Sequence, residues 1–206
     1  MFPLLSLPIL TRSLGLEGYG KLAITLAIAN IFSIFIDFGL PVSAARQIAS
    51  KNLNEDISRI YWQIQLSKLL LTSTFAIPFI LGTAIIIDNS DLQNGIFLAM
   101  LCSSLNNILF SNWFLEGQQR FVLVSSILIF CKTIQLILLI IFVSTPNDYY
   151  TALIIELSFG TIAGILVSSA IYKEISSIKK SDLKNVFIQL KNAYPFFVMN
   201  ITINLY

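Results

Sequence analysis

Five stretches of mainly apolar residues, separated by short polar segments, dominate the pattern along the chain. They cover residues 22–40, 64–87, 92–115, 121–143 and 149–171. Each is 19 to 24 residues long, and about 20 mainly apolar residues are enough for a helix to cross a bilayer. The pattern therefore predicts an all-α fold, a polytopic transmembrane helix bundle.

Both ends of the sequence are apolar as well. Residues 1–10 are too few to span a bilayer, and they lack the charged leader and small-residue cleavage site of a signal peptide. Residues 194–206 are apolar without a charged anchor. We expect both ends to lie within membrane helices. Residues 1–172 would then hold part of helix 1 and helices 2 to 6, and residues 194–206 would start helix 7.

The segment between these two parts, residues 173–193, has the pattern of a short amphipathic helix. Its apolar residues at helical spacing are Leu183, Val186, Phe187 and Leu190, and Gln189 falls on another face. Ser181 is a suitable N-cap. The pattern predicts a cytoplasmic connector helix on the membrane surface; an ordinary connector with incidental periodicity is the alternative.

Basic residues are concentrated in alternate loops. The loops after helices 2, 4 and 6 hold nine of them: Arg46, Lys51, Arg59, Arg120, Lys173, Lys179, Lys180, Lys184 and Lys191. The other loops hold only Arg12 and Lys21. Because short loops rich in Lys and Arg stay in the cytoplasm, we expect the first set, and the N-terminus, on the cytoplasmic side.

Composition excludes several classes of protein. Charged residues make up 12% and hydrophobic residues 56% of the chain, and the mean hydropathy is +0.80; a soluble domain has about 25% charged residues. A soluble domain and a nucleic-acid-binding protein with a basic face are therefore excluded. The sequence has no His, which excludes a Ser-His-Asp triad and a His-metal site. Cys102 and Cys131 lie in apolar runs, as small apolar side chains do. We expect no metal, no cofactor and no enzymatic reaction.

Lys132 is the clearest polar residue inside a predicted span. It has eleven residues on either side within 121–143, so its side chain cannot easily reach either membrane surface. A charge at mid-bilayer costs at least ~2.5–3.5 kcal/mol and commonly marks function. Ser125, Lys132 and Gln135 share a helix face, which predicts a polar cavity there or, alternatively, a bond within the bundle.

Two more charges inside spans are ambiguous. Lys68, in a stripe with Gln65 and Thr72, either faces a cavity or extends to the headgroups. Glu156 belongs to a face of small residues that repeats every four positions, with Gly160, Gly164 and Ser168. Such a face lets a second helix approach closely. Glu156 either bonds to that helix or serves in proton coupling or substrate contact.

Uncharged polar residues form further stripes on two helices. One stripe has Asn30, Ser33 and Asp37, and the other has Ser103, Asn107 and Ser111. Each stripe alone is as compatible with hydrogen bonds between helices as with a cavity. Together they favour a transporter over a membrane anchor, whose helices could be apolar all round.

Residues 8–49 contain a T-R-x-L-G-x-x-x-Y-G turn, a helix ending in D-x-G-L and an A-x-R segment. The residues are Thr11, Arg12, Leu14, Gly15, Tyr19, Gly20, Asp37, Gly39, Leu40, Ala44 and Arg46. These motifs resemble those of one family, the polysaccharide flippases of the multidrug/oligosaccharidyl-lipid/polysaccharide exporter superfamily. Residues 112–121 are similar to the W-x-x-x-G segment between helices 4 and 5 of that family, and residues 193–206 to the start of helix 7.

The resemblance implies the first lobe, about six helices, of a two-lobed flippase with 12–14 helices in the bacterial inner membrane. Such proteins move undecaprenyl-diphosphate-linked oligosaccharides across that membrane by alternating access. The implied partners are this substrate, membrane lipids and other polysaccharide-assembly proteins. The candidate substrate-binding residues are Lys132, Gln135, Lys68, Arg12, Arg46, Asn107, Asn30 and Asp37, with Glu156 for coupling. A related drug or cation antiporter is the main alternative, and a membrane polysaccharide polymerase or glycosyltransferase a weaker one.

Overall fold

A computed structural model describes residues 2–50, 57–172, 174–175 and 183–205. Within them the chain forms eight helices and no strand, which confirms the all-α prediction. The helices are α1 (Phe2–Asp37), α2 (Leu40–Ser50), α3 (Ile57–Ile86), α4 (Ser90–Leu109), α5 (Asn112–Gly117), α6 (Phe121–Phe142), α7 (Tyr149–Ile171) and α8 (Leu183–Leu205). The predicted cap Ser181 and the side chains of Lys51, Lys173, Lys179, Lys180 and Lys184 lie outside the described residues.

Five helical segments are long and apolar enough to cross a membrane. They are Leu5–Asp37, Ile57–Ile86, Ser90–Gly117, Phe121–Phe142 and Tyr149–Ile171. They coincide in order with the five apolar stretches of the sequence. The chain is therefore a polytopic helix bundle.

Helix α1 changes direction at Gly15, inside the turn motif of the sequence. Gly15 has φ 69° and ψ −177°, a left-handed φ that glycine adopts without steric cost. In an unbroken helix Ser6 and Leu26 would lie about 30 Å apart, yet both line one cavity. The arm of residues 2–14 therefore folds back beside the arm of residues 16–37.

The predicted span of residues 92–115 is divided into two helices. α4 ends at Leu109, where the backbone N–H of Phe110 still donates to Asn106 O at 2.8 Å, and α5 begins at Asn112. The last carbonyls of a helix have no partner within it. Here Gln65 Nε2 donates to Ile108 O at 3.0 Å and Lys68 Nζ to Asn107 O at 2.9 Å. Side chains of α3 thus satisfy the end of α4, which the apolar pattern alone could not indicate.

The turns collect at two opposite ends of the bundle. At one end Tyr150 donates from its hydroxyl to Asp91 O at 3.0 Å, and Tyr150 and Asp91 line a cavity together with Glu17. The Asp148 carboxylate accepts bonds from the backbone N–H groups of Thr145 and Ser144, which lowers the pKa of Asp148. We call this the acidic end.

At the other end α2, α5 and the segment after α7 are in contact. A Cβ on Gly117 would lie 2.8 Å from Ile48 Cβ, and Arg120 Nη1 lies 2.6 Å from Glu174 Oε1. We call this the basic end, because Arg46 on α2, Arg59 in the first turn of α3 and Arg120 after α5 lie there. For the described residues, the two ends thus correspond to the two sets of loops in the charge pattern.

Helix α8 is continuous across the predicted boundary between connector and helix 7 at residues 193 and 194. Val186, Gln189 and Ala193 form one buried face against α2 and α3, whereas Phe187 is 77% exposed. Of the predicted apolar face, Val186 is therefore buried in the bundle and Phe187 is exposed. Gln189 is buried because its amide has partners inside the bundle, as described below. The position of this segment on the membrane surface stays a prediction.

Candidate functional site

Four polar side chains from three helices line one cavity of the bundle. Lys132 and Gln135 lie on α6, Glu156 on α7 and Asn106 on α4. We call them the central cluster. Lys132 lies eleven residues after Phe121 and ten before Phe142, about 15 Å along the helix from each end. The cluster is therefore at the depth of the bilayer core.

Gln135 and Glu156 join α6 to α7. Gln135 is only 3% exposed, and its Nε2 donates to Glu156 Oε2 at 2.5 Å. Glu156 is half-buried. Of the two interpretations of Glu156 left open by the sequence, a bond to a neighbouring helix is therefore present. This bond leaves the second carboxylate oxygen free for another partner.

Two cavities share the central cluster. One, of about 270 Å³, lies between α6, α7 and both arms of α1, and Leu10, Tyr19 and Leu22 line it. The other, of about 220 Å³, lies towards α4, where Asn106 and Phe110 line it. Lys132, Gln135 and Glu156 line both. Polar side chains thus face open space at mid-membrane depth.

Lys132 is exposed, and it makes no hydrogen bond or ion pair with another residue in the described part of the chain. A lysine ammonium carries three donors and a full charge. At this depth such a group is costly unless it meets water, a counter-ion or a ligand. The side chain of Lys132 is therefore available to an anionic group that enters the cavities.

Lys68 has a different environment. It is 2% exposed, its Nζ lies 3.1 Å from Asp37 Oδ1, and it donates to Asn107 O. Lys68 therefore neither extends to the headgroups nor lies free in a cavity, since Asp37 compensates its charge within the protein. This Asp37–Lys68 pair fastens the end of α1 to α3 and α4.

The remaining candidates are not brought together. Asn30 on α1, Arg12 on its first arm and Arg46 on α2 are all exposed, and none bonds to another described residue. Arg12 and Arg46 lie towards opposite ends of the bundle, because they flank the turns at Gly15 and Gly39 respectively. Asp37, which belongs to the same predicted stripe as Asn30, instead pairs with Lys68.

The small-residue face of α7 does allow close approach of a second helix, which is α4. A Cβ on Gly160 would lie 2.6 Å from Asn106 Nδ2, and one on Gly164 would lie 3.0 Å from Leu109 Cβ. Ser168 donates to Leu109 O at 2.6 Å. The prediction that this face lets a second helix approach closely is confirmed. The contact between α4 and α7 also places Asn106 beside the other residues of the central cluster.

A buried glutamine network was missing from the sequence interpretation. Gln189 Nε2 on α8 donates to Gln63 Oε1 on α3 at 3.0 Å, and Gln47 Nε2 on α2 donates to Gln189 Oε1 at 2.7 Å. Gln63 and Gln189 are almost fully buried. Isolated glutamines in apolar segments were the available signal, but their partners lie 126 and 142 residues away in sequence.

The arrangement supplies groups that can bind polar ligands. In the described part of the chain, no group of three His, Cys, Asp or Glu side chains could hold a metal ion. The central cluster offers one free cation, amide groups and a carboxylate to whatever enters the cavities. Such groups bind phosphates and hydroxyls.

The fold and this site define a multi-pass α-helical membrane protein with a polar interior. The family model described as "Polysaccharide biosynthesis protein" matches residues 1–206. The chain belongs to this family.

Two curated relatives are named "Putative O-antigen transporter". The one from Shigella dysenteriae is 28% identical over 202 residues, 96% of this chain and 50% of the relative. The one from Escherichia coli (strain K12) is 24% identical over 209 residues, 100% of this chain and 50% of the relative. The chain thus spans about half the length of these relatives. No solved structure gave a significant match.

Proposed function

We propose that this chain forms the first lobe of a transporter that carries undecaprenyl-diphosphate-linked oligosaccharides across the bacterial inner membrane by alternating access. The transported units would serve O-antigen or surface polysaccharide synthesis. The observation that carries the proposal is Lys132, which is exposed beside two cavities at mid-membrane depth and has no partner among the described residues. Family membership and the relatives' names as O-antigen transporters support it.

The chemistry of the substrate explains why a cation is useful there. A diphosphate and the hydroxyl groups of sugars lose their water in a bilayer, which is costly unless new partners replace it. The Lys132 ammonium replaces water around phosphate, and Gln135 offers hydrogen bonds to hydroxyls. The polyprenyl chain remains in the lipid. No covalent bond is made or broken, so the proposal requires no catalytic residue.

The other candidates take more specific roles in this proposal. Glu156 couples transport to a cation or proton. Asp37, Lys68 and Asn107 maintain the packing of α1 against α3 and α4 rather than bind substrate. Arg12 and Arg46 attract the phosphates at the two membrane surfaces, and Asn30 faces outward from α1, where a second lobe or lipid would contact it.

We also propose the orientation of the chain. The basic end lies in the cytoplasm and the acidic end in the periplasm. Residues 173–193 are then a cytoplasmic connector between the lobe of residues 1–172 and helix 7, and membrane lipids and other polysaccharide-assembly proteins are the partners.

Thiol labelling tests this orientation. With Cys102 and Cys131 replaced by Ser, an impermeant maleimide added to intact spheroplasts is expected to label Ser144→Cys, at the acidic end. It is expected to leave Ser50→Cys, at the basic end, unlabelled until the membrane is permeabilised. Both positions are exposed, so access alone decides the result. The reverse labelling would invert the orientation.

The proposed function itself is tested by two substitutions at one position. In a strain lacking the gene, Lys132→Arg is expected to retain most surface-polysaccharide export, because it keeps the charge. Lys132→Met, similar in length but neutral, is expected to lose it about tenfold or more per molecule of membrane protein. That loss corresponds to the ~1.5–3 kcal/mol of a hydrogen bond to a charged group.

A lysine outside the cavities provides the matched control. Lys191, exposed on α8, is expected to tolerate Lys191→Met with unchanged export. If Lys132→Met lowers only the amount of protein and leaves export per molecule normal, Lys132 has a structural role and the proposal fails.

A further inference from the structure

A further polar cavity lies at the acidic end, away from the central cluster. Its volume is about 270 Å³, near the lower end of the roughly 300–1,000 Å³ that is usual for ligand cavities. Four segments form its wall: α1 after its turn, the first turn of α4, the turn between α6 and α7, and the first turn of α7. The polar and aromatic residues that line it are Glu17, Lys21, Asp91, Asn147, Tyr149 and Tyr150. We call it the acidic-end cavity.

Contacts between these segments fix the shape of the cavity. A Cβ on Gly18 would lie 3.4 Å from Pro146 O, so α1 packs directly against the turn between α6 and α7. The Tyr149 hydroxyl is hydrogen-bonded to Thr25 Oγ1 at 2.7 Å, and both residues are buried. This bond joins the start of α7 to α1. A ligand that enters the acidic-end cavity would therefore meet a largely formed site.

Several groups in the cavity have unused bonding capacity. The Asp91 carboxylate and the Asn147 amide are exposed, and neither makes a hydrogen bond to another described residue. Tyr150 is 37% exposed although its hydroxyl is bonded to Asp91 O, so its ring is what it offers to a ligand. Glu17 and Lys21 form an ion pair, with Lys21 Nζ 2.9 Å from Glu17 Oε1. The cavity thus presents a carboxylate, an amide and an aromatic ring.

The charges of the cavity decide which class of ligand it suits. Because Glu17 and Lys21 compensate each other, Asp91 leaves the wall negative, which disfavours phosphates and other anions. Lys21 in turn disfavours a free cation. A carboxylate and an amide form hydrogen bonds with hydroxyl groups, and a tyrosine ring packs against apolar C–H surface. A sugar ring presents both kinds of surface. We infer that the acidic-end cavity binds a neutral saccharide unit.

The source of this unit is the sugar portion of the proposed substrate, and in this respect the inference rests on the proposed function. Helix α1 is a wall common to both sites. Tyr19 and Leu22 line the larger cavity beside Lys132, and their neighbours Gly18 and Lys21 line the acidic-end cavity. This arrangement allows the diphosphate to lie near Lys132 while the sugars bind at the acidic end. The acidic-end cavity would then contribute to selectivity for the sugar.

Saturation-transfer NMR on the purified protein in lipid nanodiscs tests the inference. The probe is the oligosaccharide that mild acid releases from the lipid-linked oligosaccharide of the strain that carries the gene, so it has sugars but no diphosphate. Saturable binding is expected. Asp91→Asn, which removes a charged acceptor, and Tyr150→Ala, which removes the ring, are each expected to weaken binding about fivefold or more.

Two variants serve as controls. Asp88→Asn should bind the probe as the unaltered protein does, because Asp88 is also an exposed aspartate before α4 but does not line the cavity. Tyr150→Phe should bind it nearly as well, because it keeps the ring and loses only the hydroxyl that is bonded to Asp91 O.

Absence of saturable binding overturns the inference, as does binding that Asp91→Asn and Tyr150→Ala leave unchanged. An equal loss in Asp88→Asn also overturns it, because it would show a general effect of charge. Binding that is lost in Lys132→Met but kept in both acidic-end variants would place the sugar at the central cluster instead. Export by Lys132→Met is measured separately, so failure of the proposed function and failure of this site give different results.

Discussion

Two lysines inside spans, Lys68 and Lys132, have opposite environments. The sequence identified both as unusual, because a charge within an apolar stretch needs a reason. It could not distinguish them, since the counter-ion of Lys68 is Asp37 on α1, 31 residues earlier, and that carboxylate was predicted to belong to a different polar stripe. The distinction depends on how α1 packs against α3, which only the tertiary structure shows.

The Asp37–Lys68 pair is predicted to be structural. Removing one partner of a buried ion pair costs about 3–5 kcal/mol, and we expect the lower part of that range because the Asp37 side chain is 34% exposed. Asp37→Asn should therefore lower the unfolding midpoint clearly, because it leaves the buried Lys68 ammonium unpaired, and Lys68→Met should lower it somewhat less. The double variant should be more stable than the sum of the two single effects predicts.

A double-mutant cycle on thermal unfolding, with export per molecule measured in parallel, checks this prediction. Export per folded molecule should stay near normal in all three variants. A Lys68→Met protein of native stability that fails to export would instead place Lys68 in the substrate path.

At the scale of helices, apolar length predicted the spans well but not where they break. The turn at Gly15 was indicated by its motif, because glycine in such a turn supplies a positive φ. The end of α4 at Leu109 was missed, since residues 110–115 are as apolar as a helix interior and the signal is the fit of Gln65 and Lys68 to the last carbonyls. The continuity of α8 was missed for a similar reason, because it depends on the buried contacts of Val186, Gln189 and Ala193 with other helices.

The contact of α1 with α8 depends on Gly39. Its φ is +70°, and a Cβ there would lie 2.6 Å from Phe197 N and 2.8 Å from Ala193 O. These are backbone atoms and cannot move aside cheaply. Gly39→Ala is therefore expected to lower the free energy of unfolding. The left-handed backbone of an alanine costs about 1–2 kcal/mol by itself, and the clash with α8 adds to this cost and loosens that helix.

The matched control is Gly82→Ala on α3, where a Cβ meets nothing within 4 Å. Its stability should be unchanged or higher by up to about 0.5–1 kcal/mol, since alanine suits a helix interior better. Unfolding midpoints and protease susceptibility of α8 compare the two. Equal stability of both variants would show that α8 does not pack closely against Gly39 in the folded protein.

At the scale of the whole molecule, the structure assembles residues that no local pattern connects. The alternation of basic and acidic loops predicted two groups, and the two ends of the bundle contain those groups. The Gln47–Gln63–Gln189 network and the meeting of Asn106 with α6 and α7 were not predictable. They depend on the order in which helices pack, and a single sequence carries little information about which residues far apart in the chain are in contact. The sequence predicted that Lys132 and Gln135 share one helix face, and it indicated Glu156 separately. The convergence of all three on shared cavities is structural.

Photo-crosslinking tests the central claim, that the cavities beside Lys132 form the substrate path, most directly. A photoreactive amino acid replaces Leu136, which lines the larger cavity one turn from Lys132, or Phe130, which is 61% exposed and about 200° around α6 from Lys132. Cells accumulate isotope-labelled, undecaprenyl-diphosphate-linked oligosaccharide and are then irradiated.

We expect labelled adducts from position 136 and few from position 130. The adducts at position 136 should be strongly reduced when Lys132→Met is introduced. Both variants must export normally before irradiation, so that the adducts report a working protein. Equal labelling at the two positions, or labelling at 136 that is indifferent to Lys132→Met, would contradict the claim.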